Sequence, residues 1–90
     1  MDNFKLVEGN FSSADAKEIL LSLIEQKISF HNLKCFSHEI RYGAKDEHSL
    51  ERIEELNKTK EKLILIINQA QMDGDLLSIN SSIDVQILKS

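Results

Sequence analysis

The 90-residue sequence contains no proline, no tryptophan, three glycines and one cysteine. The scarcity of proline and glycine excludes a turn-rich β-sandwich or barrel and argues against a disordered linker. A single cysteine cannot form an internal disulfide, and it excludes the zinc modules that are built from several cysteines. The chain therefore has few points at which a regular element must stop.

The sequence also has fewer basic than acidic residues: it contains eleven Lys and Arg and fifteen Asp and Glu, for a net charge of −4. This sign is wrong for a general nucleic-acid binder or a binder of anionic membranes. A run of about eighteen apolar residues, as needed to span a membrane, is absent, and residues 1–10 do not read as a secretion signal. We therefore expect one domain over residues 1–90, in the cytoplasm, with no membrane as its partner and with a charge that disfavours nucleic acid.

The three glycines coincide with changes in the sequence pattern. Residues 4–7 alternate in polarity, which predicts a strand that stops before Gly9. Residues 14 to about 42 contain no helix breaker, which predicts a first helix with Ser12 as its N-cap and Gly43 just after its last turn. The first glycine is thus interpreted as a strand-to-helix joint and the second as a helix-to-helix joint.

The second half of the chain shows helical and then strand periodicity. Asp46 is placed to cap a second, amphipathic helix that ends at residue 72 or 73, before Gly74. From residue 77 to 87 apolar and polar residues alternate, as in a strand. A single strand is favoured over a hairpin turning at residues 80–82, because that turn would lack a glycine. The predicted fold is α+β: a long antiparallel helical hairpin flanked by N- and C-terminal strands that pair in a small antiparallel sheet.

The first predicted helix carries more apolar surface than one neighbouring helix can cover. In its first half the apolar side chains span about 200° of the circumference, whereas a stripe for one partner needs about 100°. We therefore expect the hairpin to self-associate as a homodimer, with a different protein partner as the alternative. The residues predicted at this interface are Leu20, Leu21, Ile24, Ile28, Phe36, Ile40 and Ile66.

His31, Cys35 and His38 follow one another along one line of the first helix. Imidazole and thiolate groups are zinc ligands, so this line gives an alternative function as a metal-binding protein. The opposing interpretation is a semi-buried seam in which the histidines are hydrogen-bonded and Cys35 is a small apolar residue, since three ligands spread over two helical turns do not readily converge on one ion. Cys35 also lacks a predicted oxyanion site nearby, so we expect no enzymatic activity and no cofactor.

Arg41, Lys45 and Arg52 gather at the predicted tip of the hairpin. They could contact an anion or an acidic partner at the start of the second helix, which gives a further alternative as a nucleic-acid-associated regulator. The competing interpretation is that Arg41 compensates a helix C-terminus while Arg52 pairs with Glu55 or Asp46.

The hairpin core contains KISFH at residues 27–31, RYG at 41–43, DE at 46–47 and RI at 52–53. With this pattern the chain resembles a group of short bacterial proteins without an assigned function. The resemblance implies a bacterial, cytoplasmic setting and implies no activity. The function predicted from the sequence is that of a small, non-enzymatic interaction or regulatory module.

Overall fold

The computed structural model describes residues 2–89, which form a strand, two helices and a strand in that order. Strand β1 is Asp2–Phe11, helix α1 is Ser13–Tyr42, helix α2 is Glu47–Asp73 and strand β2 is Leu77–Val85. The two helices pack as a hairpin, and β1 pairs with β2 in an antiparallel sheet. The predicted α+β fold is confirmed.

Both helices begin and end where local signals place them. The Ser12 hydroxyl accepts a hydrogen bond from the Asp15 backbone N–H (3.2 Å) at the start of α1. Gly43 and Gly74 close the two helices with φ values of 77° and 70°, a left-handed conformation that glycine adopts without a Cβ penalty. Asp46 is the N-cap residue of α2, but its carboxylate accepts from the Ser49 hydroxyl (2.8 Å) instead of a backbone N–H.

The prediction that Gly9 ends the first strand is wrong, because β1 continues through Gly9 to Phe11. Gly9 pairs with Ile79 and has a φ of 150°, which glycine tolerates, so strand pairing carries the chain past it. The preference for a single C-terminal strand over a hairpin is confirmed, although β2 ends at Val85, two residues earlier than the alternation predicted. One β-bulge interrupts β1 between Lys5 and Val7.

The core lies mainly between the two helices. Its buried apolar side chains are Ala16, Ile24, Cys35, Leu56, Ile67 and Ile79. The hairpin and the sheet make few contacts with each other compared with the contacts inside each unit. The described chain is consequently elongated and thin, with principal extents of 50 × 31 × 15 Å.

Candidate functional site

One exposed side of α1 carries an uncharged seam. Leu33, Phe36 and Ile40 follow each other at spacings of three and four residues, so they lie on one face of the helix. Their side chains are exposed by 67%, 62% and 70%. Towards the helix N-terminus the same face continues through Ser29, Gln26 and Ser22, so no charged side chain interrupts this line from residue 22 to residue 40. We call residues 22, 26, 29, 33, 36 and 40 the α1 seam.

The structure distributes the predicted interface residues over three environments. Ile24 is buried in the hairpin core and offers no surface to a second chain. Leu20, Leu21 and Ile28 are half-buried. Phe36 and Ile40 are exposed on the α1 seam, and Ile66 is exposed near the end of α2. The exposed members of the predicted set thus lie on two separate parts of the hairpin.

The folded chain exposes more surface than a monomer of its size ordinarily does. Its accessible area is 7199 Å² for a mass of 10.3 kDa. A compact monomer of that mass exposes about 5,400 Å², so the excess is roughly 1,800 Å². The radius of gyration is 16.5 Å, whereas a compact domain of this length has about 12 Å. Much apolar surface is therefore left uncovered by the chain itself.

A buried polar cluster links the two helices close to the hairpin turn. The Ser49 hydroxyl donates to the Asp46 carboxylate (2.8 Å), so its oxygen is the acceptor for Nδ1 of His31 (3.4 Å). The Cys35 thiol donates to the backbone carbonyl of Asp46 at 3.7 Å. His31, Cys35 and Ser49 are all buried. This cluster fixes the position of the turn relative to α1.

Two members of this cluster, His31 and Asp46, have shifted pKa values. Burial lowers the pKa of His31 below its ordinary value, and neighbouring positive charges lower it further. These charges belong to Lys27, Lys34, Arg52 and His48. The hydrogen bond from Ser49 lowers the pKa of Asp46, and burial opposes that change. Within residues 2–89, Nε2 of His31 is buried without a hydrogen-bond partner, so the environment favours the neutral ring.

The three residues of the predicted metal line each have a different neighbour. His31 contacts Ser49, Cys35 contacts the Asp46 carbonyl, and the half-buried His38 donates from Nδ1 to the Ala44 carbonyl (2.7 Å). Across residues 2–89, no three His, Cys, Asp or Glu side chains are grouped so that they could hold a metal ion. The three side chains thus have separate hydrogen-bond contacts, as in the interpretation that opposed a metal site.

The three cations predicted at the tip are also separated. Arg52 pairs with Glu55 at 2.9 Å along α2, as the competing interpretation of the tip predicted. Arg41 and Lys45 line two different shallow clefts, of about 200 and 230 Å³. The tip therefore presents separate cations, and one of them is already paired with a carboxylate.

Ser49 was missed by the sequence reasoning, although it completes the cluster. A serine three residues after the N-cap Asp46 is a signal that could have found it, since side chains at that spacing meet across the first turn of a helix.

Comparison of the chain with protein-family models, with curated proteins and with solved structures gave no match. Neither helix of the described chain combines the length and the apolar character that crossing a bilayer requires. The most prominent feature of the chain's surface is the uncharged α1 seam, with its exposed Leu33, Phe36 and Ile40.

Proposed function

We propose that this protein is a non-enzymatic interaction module that self-associates through its helical hairpin. The observation that carries the proposal is the α1 seam, with three large apolar side chains about two-thirds exposed and no charge along its line. Protein interfaces are depleted of charged residues at their centres in the same way. The seam stays exposed in the single 90-residue chain, so a second surface is needed to cover it.

A second copy of this chain is the partner that the surface area favours. A standard interface removes about 800 Å² from each partner, and obligate homodimers remove more. The excess of roughly 1,800 Å² over a compact monomer is large enough for such an interface. The seam repeats at alternating spacings of four and three residues, which is the geometry by which two helices pack along each other. Two seams related by a two-fold axis would cover each other.

Sedimentation velocity over a wide range of protein concentration tests this proposal. The wild-type chain is expected to sediment as a multiple of its 10.3 kDa mass. The double variant Phe36→Asp/Ile40→Asp is expected to weaken the association through the α1 seam at least about 30-fold, because burial of each side chain contributes about 1–2 kcal/mol. Both residues are exposed in the single chain, so helicity measured by circular dichroism should stay unchanged.

Phe30→Asp is the matched control, since Phe30 lies on the same helix, is similarly exposed and is outside the α1 seam. It contacts Lys27 and His31 instead. A wild-type protein that sediments as a monomer at every concentration would overturn the proposal. Equal loss of association in Phe30→Asp and in the double variant would overturn its location.

A further inference from the structure

The outer edge of β2 is open. Among residues 2–89, β2 pairs only with β1, so its second row of backbone N–H and carbonyl groups is unpaired. Proteins normally protect such edges with charges or bulges. β1 has this protection, with Lys5, Glu8 and the bulge, whereas β2 carries no charge from Leu77 to Ile83. The edge of β2 is thus the less protected of the two edges.

A groove lies beside the first residues of β2, at the end of α2. It has a volume of about 450 Å³, and the apolar residues Ile66, Ala70 and Leu77 line it. Asp73 and Asp75 also line it and make one end acidic. Ile66, which the sequence placed at an interface, is 56% exposed here.

The far half of the sheet has an uncovered apolar face. Side chains alternate along β2, so Leu77, Ile79, Ser81, Ile83 and Val85 share one face. Ile79 is buried, but Ile83 and Val85 are about half exposed, and Ile87 beyond the strand is almost fully exposed. The apolar face therefore extends further than the hairpin covers it.

We propose that β2 pairs antiparallel with β2 of a second copy of this chain, about a two-fold axis at Ser81. In this register Leu77 lies opposite Val85 of the second copy, and Ile79 lies opposite Ile83. Apolar residues then meet apolar residues on the face that bears the hairpin, which stabilises cross-strand pairs. A register shifted by one residue would pair the two faces wrongly.

The same register brings apolar side chains of the second copy to the groove. Val85 of the second copy lies beside Leu77, so it and the following Ile87 reach the groove that Ile66 lines. Asp84 lies opposite Ser78, so no like charges face each other. The product is a four-stranded sheet, in place of a two-stranded sheet that is marginal by itself.

This inference rests on the proposed self-association but uses a different surface from the α1 seam. One standard interface removes about 800 Å² per chain, so the surface excess leaves room for a second. A chain with two such contacts assembles beyond a dimer. Removing the α1 seam by Phe36→Asp/Ile40→Asp should therefore leave a dimer that is held by β2.

Disulfide trapping in that double variant tests the pairing. Cys35→Ala first removes the native thiol, and Ser81→Cys then places two cysteines opposite each other at the axis. Facing residues in an antiparallel pair lie about 4.5–5.5 Å apart at Cα, within the range that a disulfide bridges. We expect a covalent dimer under mild oxidation.

Ser78→Cys in the same background is the matched control. Two copies of residue 78 would lie six residues apart along the strands, about 20 Å, and should not cross-link with each other. Ser78→Cys mixed with Asp84→Cys should cross-link, because these positions face each other in the proposed register. That pair tests the same register at a second point, away from the axis.

The outcomes separate the two proposals. Cross-linking at Ser81→Cys and in the mixed pair, but not at Ser78→Cys alone, supports pairing through β2. A wild-type oligomer without those cross-links overturns the β2 contact and leaves the α1 seam standing. A wild-type monomer without cross-links overturns both.

Discussion

Two adjacent isoleucines on α2 differ in burial. Substituting each of them tests which apolar residues the single chain already covers. Ile67 is 2% exposed in the hairpin core, whereas its neighbour Ile66 is 56% exposed at the groove. Both occupy the same helix and can receive the same substitution to alanine. Differences in helix propensity therefore cancel between Ile66→Ala and Ile67→Ala, and the difference in burial remains.

The expected magnitude follows from the carbon atoms that are removed. Isoleucine to alanine deletes three carbons, worth about 2.4 kcal/mol when fully buried at about 0.8 kcal/mol each. At Ile67 a cavity term adds to this, so the free energy of unfolding should fall by about 3–4 kcal/mol. At Ile66 less than half of the side chain is covered, so about 1 kcal/mol is expected. For a chain of this size the difference corresponds to a melting temperature lower by about 8–16 °C or more in Ile67→Ala than in Ile66→Ala.

Urea unfolding followed by circular dichroism measures both variants. Association makes the apparent stability depend on protein concentration, so the two should be compared at several matched concentrations. Ile66→Ala should lose further stability where the protein is assembled, because the groove is the surface that the proposed β2 pairing covers. Equal destabilisation of the two variants at the lowest concentration would refute the assignment of Ile67 to the core and Ile66 to a free surface.

Two further predictions concern the hairpin turn. Because the pKa of His31 is lowered by burial, its contribution to stability should be complete above about pH 6.5 and decrease as the pH falls below it, since the unfolded chain then binds the proton more readily. Urea midpoints measured at about pH 7.5 and about pH 5.5 should differ more in the wild type than in His31→Gln, and an equal difference would contradict a neutral buried His31. Gly43→Ala should lower the free energy of unfolding by about 1 kcal/mol, because the φ of Gly43 is 77° and a Cβ there meets nothing within 4 Å. Ala44→Gly, in the same turn, serves as the control. A Gly43→Ala variant more stable than the wild type would contradict the left-handed cap.

The helix boundaries could be predicted because their signals are local. Ser12, Gly43 and Gly74 act within one turn of the helix that they begin or end, so neighbouring residues are sufficient information. The interpretation of Gly9 failed because the deciding contact is its pairing with Ile79, about seventy residues away along the chain. Pairing of that range adds backbone hydrogen bonds, which carry the strand through a residue that weakens strands by itself.

The candidate site, like the strand and helix boundaries, was predictable only in part. The apolar surplus on α1 could be counted from the sequence, and Phe36 and Ile40 are exposed there. The sequence did not distinguish them from Ile24, because all three are apolar residues on one long helix. Only the position of α2 decides which of them is covered. The roles of His31 and Cys35 likewise became clear only when Ser49 and Asp46 of the second helix were brought beside them.

The amino-acid sequence by itself determined the number, type and approximate ends of the helices and strands, because periodicity, capping residues and glycines act over a few positions. Tertiary structure decided the extent of β1, the cluster around Ser49, and which apolar surfaces stay exposed. These depend on residues that are distant in sequence and close in space. In a chain this thin, the same packing that completes the hairpin also leaves the α1 seam and the edge of β2 uncovered.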